Sequence, residues 1–180
     1  GITKNTTAKI TSQHGLIFQK LLRYKGEERA REYVRANQIA IQKFEEISSR
    51  LHIDCDYEIL PNYIYSLKGE EKIRREVEAA KRIGLPALYT KETTLPFQVK
   101  AAIRLENQAQ FHPIRFLEGV AKELTIYENT NIIELKKNGL IITEQGNIKA
   151  KSIVIATHYP FINTPGYYFL RSEEHTSELQ

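Results

Sequence analysis

Apolar residues recur at helical spacing through much of the first half of the chain. Between residues 27 and 50 they return every three or four positions with charged residues between them, which predicts a long amphipathic helix. Thr11 and Ser12 are of the types that cap helices, so we expect them to begin a shorter helix over 16–22. A further amphipathic stretch predicts a helix at 69–83, ended by the turn residues that follow it.

Shorter apolar runs indicate strands around this last helix. Tyr57–Leu60 and Tyr63–Leu67 are expected as two strands separated by Pro61-Asn62. Ala101–Leu105 is a further expected strand. Pro113 suits the first turn of a helix that continues to residue 124.

The last third of the chain changes to short strands divided by turn residues. Strands are expected at 125–128, 132–136, 140–143 and 147–150. Asn-Gly at 138–139 and Gln-Gly at 145–146 supply turns, and the last three strands therefore form a meander. The unbroken apolar run Ile153–Ile155 is typical of a parallel strand that is buried on both faces.

Charge and composition exclude several kinds of partner. The formal net charge is +4, but opposite signs alternate along the predicted helices, for example through residues 70–76, which is typical of solvated helix faces. We therefore expect no nucleic-acid partner. No run approaches the roughly 18 apolar residues of a membrane span. The lone Cys55 favours a reducing, cytoplasmic setting.

Both ends of the chain have unusual features. The 180 residues contain no methionine, and we expect an internal segment of a longer protein. Residues 171–180 resemble the translation of a common sequencing adapter. We therefore treat 171–180 as a non-native tail and leave it out of the fold.

Two segments carry the candidate chemistry. Residues 1–15 combine small and hydroxyl side chains, which suit the close approach of a flat ring and a pyrophosphate; a helix start with polar neighbours is the alternative. Residues 153–157 place backbone at the carboxyl edge of a sheet, where dinucleotides bind in α/β folds, although an ordinary core strand is the alternative.

In this order and at this separation, the two segments resemble the family of FAD-dependent amine and amino-acid oxidoreductases that includes D-amino-acid, glycine and sarcosine oxidases. Phe111-His112-Pro113 resembles the family's helix opening, and Ile132 stands where a residue contacts the adenine. Ile153–Thr157 resembles the family's Val-Val-Ile-Ala-Thr-Gly strand, with His158 in place of the glycine. Thr-Thr-Ala-Lys-Ile-Thr-Ser-Gln-His-Gly is similar to a bacterial branch, of which some members carry a C-terminal Rieske iron–sulfur domain.

The resemblance implies an α/β fold: part of a Rossmann-like FAD-binding domain, with a β-meander plus a parallel strand, interrupted by an inserted antiparallel α+β substrate domain. Its implied parts are 1–55 and 109–170 for the FAD-binding domain and 56–108 for the substrate domain. It also implies a set of FAD-binding residues: Thr3, Thr6, Thr7, Ala8, Lys9, Ser12, Gln13, His14, Gly15, Ile132, Ala156, Thr157 and His158.

The activity implied by the resemblance is oxidation of a C–N bond of an amine or amino acid, with hydride transfer to the flavin and oxygen or a Rieske centre as electron acceptor. Two alternatives stay open: a Rieske-linked electron-transfer flavoprotein with a non-amine substrate, and a non-catalytic basic binding module. No residue is assigned as a catalytic acid or base. His14 contacts flavin or substrate, or bonds backbone. His112 is expected near a helix N-cap, and the residues around His52 match no zinc spacing.

Overall fold

The computed structural model describes residues 2–136 and 138–156. They belong to two units, the first ending at Thr125 and the second beginning at Ile126. After a 3₁₀ turn at Ile2–Asn5, the first unit contains β1 (Lys9–Ile10), α1 (Phe18–Arg50), β2 (Glu58–Ser66), α2 (Glu71–Arg82), β3 (Ala87–Thr90), β4 (Ala101–Gln110) and α3 (Pro113–Ala121). The second unit contains β5 (Ile132–Leu135), β6 (Leu140–Thr143) and β7 (Gly146–Lys149).

The long helix α1 is two helical segments that meet at Gly26. Gly26 has φ 80° and ψ 169°, a backbone conformation that is essentially restricted to glycine. The sequence prediction of a short helix followed by a long one over 27–50 is therefore confirmed, although the short helix begins at Phe18 and extends to the kink.

The start of α1 is not capped as predicted. Ile17 occupies the N-cap position and makes no side-chain cap hydrogen bond. Instead, Glu76 of α2 accepts hydrogen bonds from the N–H groups of Phe18 (2.6 Å) and Gln19 (3.2 Å). A carboxylate satisfies free N–H groups at the positive end of a helix, and this one comes from a distant part of the chain. The predicted role of Thr11 and Ser12 as caps is wrong, because both bind elsewhere.

The helices predicted at 69–83 and after Pro113 are confirmed. In α2 the apolar stripe is buried, and the helix gives way to Gly84 at φ +93°. In α3, His112 is the N-cap: its Nδ1 accepts a hydrogen bond from the N–H of Arg115 at 3.2 Å, while Pro113 occupies the first turn. The expectation that His112 lies in the N-cap region is also confirmed.

The first unit has an antiparallel sheet with β4 at its centre. β2 pairs with β4 along one side, while β1 and β3 pair with opposite ends of its other side. The two strands predicted at 57–60 and 63–67 are one strand, because the register shift beside Pro61 forms a bulge rather than a turn. A bulge tolerates proline, which has no N–H to donate to a ladder.

Helices α1 and α2 pack on this sheet and form the main core. Its fully or nearly buried members come from both helices and from the strands: Phe18, Ala30, Val34, Ile73, Val77, Ala79, Ala80, Ile83, Leu85, Ala87, Ala101, Ile103 and Leu105. A smaller cluster joins Ile10, Ile41 and Ala109, with Phe44, Tyr57 and Phe111 against it. Because β1 pairs with β4, the position of residues 11–15, which follow β1, is fixed at their amino-terminal end.

The second unit is the predicted three-stranded meander. β5 pairs with β6 and β6 with β7, all antiparallel, and Gly139 turns at φ +77°. Two predicted strands are wrong: residues 125–128 and 153–155 form no strand in the described chain. A strand needs a hydrogen-bonded neighbour, and a run of apolar residues does not supply one. Residues 153–156 instead help to line a small cavity of about 60 Å³ with Ile132, Leu135 and Ile141.

No helix within the described residues is long and apolar enough to cross a membrane.

Candidate functional site

The threonine-rich segment at the start of the first unit presents its hydroxyl groups to solvent. Thr3 lies in the 3₁₀ turn, and Thr3, Thr6 and Thr7 are exposed. Thr6 Oγ1 accepts a hydrogen bond from the N–H of Ala8 at 3.4 Å, and Ala8 has the left-handed φ of +58°. Lys9, in β1, is also exposed. The segment therefore offers several hydroxyl groups and a cation to a ligand.

The chain then becomes buried at Ser12 and Gln13, which are 0% and 3% exposed. Gln108 of β4 holds this part of the chain: its Oε1 accepts from Thr11 Oγ1 at 2.9 Å and from the N–H of Ser12 at 2.9 Å. Ser12 Oγ lies 3.3 Å from the same oxygen. Gln38 of α1 donates to Ser12 Oγ at 3.0 Å. These bonds explain why Thr11 and Ser12 do not cap α1.

Gln13 makes an incomplete set of hydrogen bonds. Asn62 of β2 donates to Gln13 Oε1 at 2.6 Å. Gln13 Nε2 is buried and has no hydrogen-bond partner within the described residues. If the oxygen and nitrogen of the Gln13 and Asn62 amides are exchanged, the bond between the two side chains is kept. The atom of Gln13 without a partner is then an oxygen instead of a nitrogen. A buried polar group without a partner is costly, so water or a ligand is needed to satisfy this amide. We call Gln13, Gln38, Asn62 and Gln108 the carboxamide cluster.

His14 and Gly15 follow at the surface. His14 Nδ1 lies 2.6 Å from the hydroxyl of Tyr33 of α1. Burial raises the pKa of Tyr33 above its ordinary value of 10.0, so its hydroxyl keeps its proton at neutral pH. The partner of His14 is thus a side chain rather than backbone. Gly15 has φ +74° with open space around it, which leaves room for a ligand to approach.

The other expected binding residues lie in the second unit or beyond the described chain. Ile132 begins β5 and is exposed, and Ala156 is exposed beside the small cavity. Thr157 and His158 lie outside the described residues. The expected juxtaposition of residues 1–15 with 153–158 stays a prediction.

The sequence did not reveal the residues that hold the candidate segment. Gln38, Asn62 and Gln108 follow no motif, and β4 was expected to end at Leu105, before Gln108 is reached. The one available signal was Pro61, which marks the irregularity in the β2–β4 pairing between Leu60, which pairs with Gln108, and Asn62.

The residues present fit a dinucleotide with a flat ring. Exposed hydroxyls and Lys9 suit a charged dinucleotide, while the small side chain of Ala8 and the absence of one at Gly15 permit close approach of a ring. The unmet amide of Gln13 adds a buried polar group next to them. No described residue is assigned here as a catalytic acid or base.

Comparison with known proteins identifies the protein family. A family of FAD-dependent oxidoreductases, DAO, matches residues 1–171. The chain belongs to this family.

Three individual proteins show how far the likeness extends. A Bacillus subtilis (strain 168) protein named as a Rieske 2Fe-2S iron–sulfur protein, YhfW, is 33% identical over 181 residues, which cover 95% of this chain and 36% of that protein. Glycine oxidase from Geobacillus kaustophilus has a TM-score of 0.60 at 16% identity, covering 87% of this chain and 45% of that one. L-amino acid deaminase from Proteus vulgaris has a TM-score of 0.52 at 19% identity, covering 82% and 36%.

These likenesses confirm the predicted fold class. The two solved structures show the fold alone, since their identities are low. The chain spans little more than a third of the length of YhfW. The described residues thus correspond to part of an FAD-dependent oxidoreductase fold.

Proposed function

We propose that the protein containing this chain oxidises the C–N bond of an amine or amino acid, with FAD as its cofactor. The observation that carries the proposal is the segment Thr3–Gly15, whose exposed hydroxyls lead into a buried amide with an unmet hydrogen-bonding atom. Membership of the DAO family supports FAD. The names of the two similar structures, a glycine oxidase and an L-amino acid deaminase, support an amine-bearing substrate.

The proposed roles follow from the chemistry of each residue. Thr3, Thr6 and Thr7 donate hydrogen bonds to the pyrophosphate or the ring, and Lys9 lies close to the isoalloxazine, where it balances negative charge on the reduced flavin. Ala8 and Gly15 allow the isoalloxazine ring to approach backbone closely.

The buried part of the segment contacts the ring or the substrate beside it. Ser12 and Gln13 supply backbone and amide groups, and His14 lies at the surface with its orientation set by Tyr33. From the resemblance we also propose that Ile132 contacts the adenine and that Ala156, Thr157 and His158 contact the flavin. Bound FAD supplies the oxidising chemistry by accepting a hydride, while this chain binds and orients it.

The first test is flavin content and anaerobic reduction. Protein expressed from the complete reading frame is expected to be yellow with one FAD per chain. Glycine, sarcosine, L-proline and other L-amino acids are then added without oxygen, with the matching 2-hydroxy acids as controls. Loss of the flavin's visible absorbance with an amine but not with the hydroxy acid of the same skeleton supports C–N oxidation. Reduction by the hydroxy acids alone refutes it, and absence of flavin refutes the cofactor.

The chain by itself is expected to bind FAD weakly. Its 180 residues contain no Gly-x-Gly-x-x-Gly turn to hold the pyrophosphate at a helix start. Residues 1–171 purified alone should therefore be colourless, and stoichiometric flavin in that preparation would contradict this expectation.

A second candidate is favoured by the name of the Bacillus subtilis relative. In that case the electrons leave the flavin for a Rieske centre, and the substrate is not an amine. The complete reading frame would then contain two Cys-x-His pairs, and none of the amines would bleach the flavin.

A further inference from the structure

A β-bulge lies opposite Pro61 at the centre of the sheet. Leu60 pairs with Gln108 and Asn62 pairs with Leu105, so Glu106 and Asn107 together face the single residue between them on β2. Asn107 takes the left-handed φ of +56° that such a bulge requires. Bulges re-aim the side chains beside them. Here the two residues next to the bulge, Asn62 and Gln108, both reach the same short segment of chain.

Gln108 makes the larger number of these contacts. It is 1% exposed, and its Nε2 donates to the carbonyl of Glu106 at 2.8 Å, which fixes which end of the amide is the acceptor. Its Oε1 therefore accepts hydrogen bonds from the hydroxyl of Thr11 and from the N–H of Ser12, both at 2.9 Å. Thr11 Oγ1 in turn accepts from the N–H of Gln13 at 3.0 Å. One oxygen thus sets the conformation of three successive residues.

Two further elements hold the same residues. Gln38 of α1 bonds Ser12, and Asn62 of β2 bonds Gln13. The carboxamide cluster therefore joins the sheet and the long helix to the segment just before His14. The amide groups of this cluster are costly to bury when any hydrogen-bond partner is lost.

We propose that Gln108 is a positioning residue for FAD, acting through Thr11–Gln13. This inference rests on the proposed function and adds to it a residue that touches neither ring nor pyrophosphate. Gln108 sets the backbone of the segment, and the segment sets the position of the Gln13 amide and of His14 beside the flavin.

The test compares two equal substitutions on one strand, in protein expressed from the complete reading frame. Gln108→Met removes the buried acceptor with little change of volume. Gln110→Met is the matched control, because the Gln110 side chain is exposed and, among the described residues, donates to the exposed side chain of Glu58 at 2.9 Å. We expect Gln108→Met to weaken FAD binding at least tenfold and to shift the flavin's visible bands and midpoint potential, while Gln110→Met stays within twofold of wild type.

Rescue separates positioning from a general loss of stability. Gln108→Glu retains an acceptor at the same reach and is expected to bind FAD more tightly than Gln108→Met. Spectra and potentials are compared well below the melting temperature of each variant, where loss of stability alone leaves them unchanged. The inference is overturned if Gln108→Met has the same FAD dissociation constant and flavin spectrum as Gln110→Met. If the wild-type protein contains no flavin, the proposed function is overturned instead.

Should Gln108→Met fail to fold, Thr11→Val decides the question from the other side of the bond. Thr11 is half-buried, and valine has its shape without the hydroxyl. An FAD dissociation constant raised at least threefold supports the inference, and an unchanged constant refutes it.

Discussion

The two units of the chain bury their apolar residues to very different extents. In the first, Phe18, Ile103 and Leu105 are 0% exposed beneath helices that belong to the same unit. In the second, Ile133 is 63% and Val154 88% exposed. The described residues of the second unit supply only 153–156 as cover for the meander. Apolar residues in a strand indicate a buried face, but the fold must provide the element that buries them.

The difference teaches where stability originates in each unit. In the first, it comes from packing that residues from Phe18 to Leu105 complete among themselves. In the second, it comes from the hairpin bonds and turn geometry of β5, β6 and β7. The same type of substitution should therefore cost much more stability in one unit than in the other.

The largest expected effect comes from removing a fully buried ring. Phe18→Ala leaves a cavity in the main core and should lower the free energy of unfolding by about 3–5 kcal/mol. Ile133→Ala is the comparison in the second unit and should change it by less than about 0.5 kcal/mol, because that side chain is already exposed. Urea unfolding followed by circular dichroism measures both. Equal losses of unfolding free energy in the two variants would show that the two units do not differ in how packing stabilises them.

A turn substitution should reverse the pattern and affect the second unit alone. Gly139 has φ +77°, and a Cβ there would lie 2.5 Å from the carbonyl oxygen of Ala150. Gly139→Ala therefore combines backbone strain with a clash and should cost the meander about 2 kcal/mol or more. Gly146→Ala, at φ +150° with open space, carries the strain without the clash and should cost less.

Amide hydrogen exchange distinguishes these outcomes. Faster exchange in β6 and β7, with α2 unchanged, is expected for Gly139→Ala. Equal acceleration of exchange in α2 would show that the units do not unfold separately.

The smallest expected effect is a pH dependence in the first unit. Burial raises the pKa of Glu76 above its ordinary value of 4.5, against the opposing hydrogen bonds from the N–H groups of Phe18 and Gln19. The fold therefore favours the protonated form of Glu76 more than the unfolded chain does. Its contribution to stability is complete below pH 4.5 and is lost as pH rises through the folded-state pKa.

Glu76→Gln removes this titration. The slope of unfolding free energy against pH, from about pH 4.5 upward, should become more positive in this variant than in wild type, because the negative contribution of Glu76 is lost. Glu78→Gln is the matched control, since Glu78 is exposed on the same helix. A wild-type slope in Glu76→Gln would mean that another group causes the pH dependence.

The sequence predicted local features well because their causes are local. The apolar stripe and the flanking glycine placed α2 at 69–83, against Glu71–Arg82 in the structure. Asn138-Gly139 placed the β5–β6 turn for the same reason. His112 before Pro113 was recognisable as a helix start because capping depends on neighbours three residues apart.

Features that depend on distant residues were beyond the sequence pattern. Glu76 caps α1 from 58 positions away, and Gln108 holds Ser12 from 96 positions away. Neither hydrogen bond produces a periodic pattern of residues in the sequence. The strand expected at 153–155 failed for a related reason: its apolar run was read correctly as suited to burial, but pairing requires neighbours that the described residues do not provide.

For the candidate site, the sequence supplied the segment but not its support. Thr3–Gly15 stood out by composition and by resemblance, whereas Asn62 and Gln108 are ordinary amides until a bulge brings them together. Their importance arises from geometry, and geometry of this kind is visible only in the folded chain.

The kink at Gly26 divides α1 into two helical segments. The residues before Gly26 are tied to α2 through Glu76, and those after it are tied to Ser12 through Gln38. Since the ladder of backbone bonds is interrupted at the joint, one part can fray while the other stays wound. The hydrogen bond between Gln38 and Ser12 therefore need not break when residues 18–25 fray.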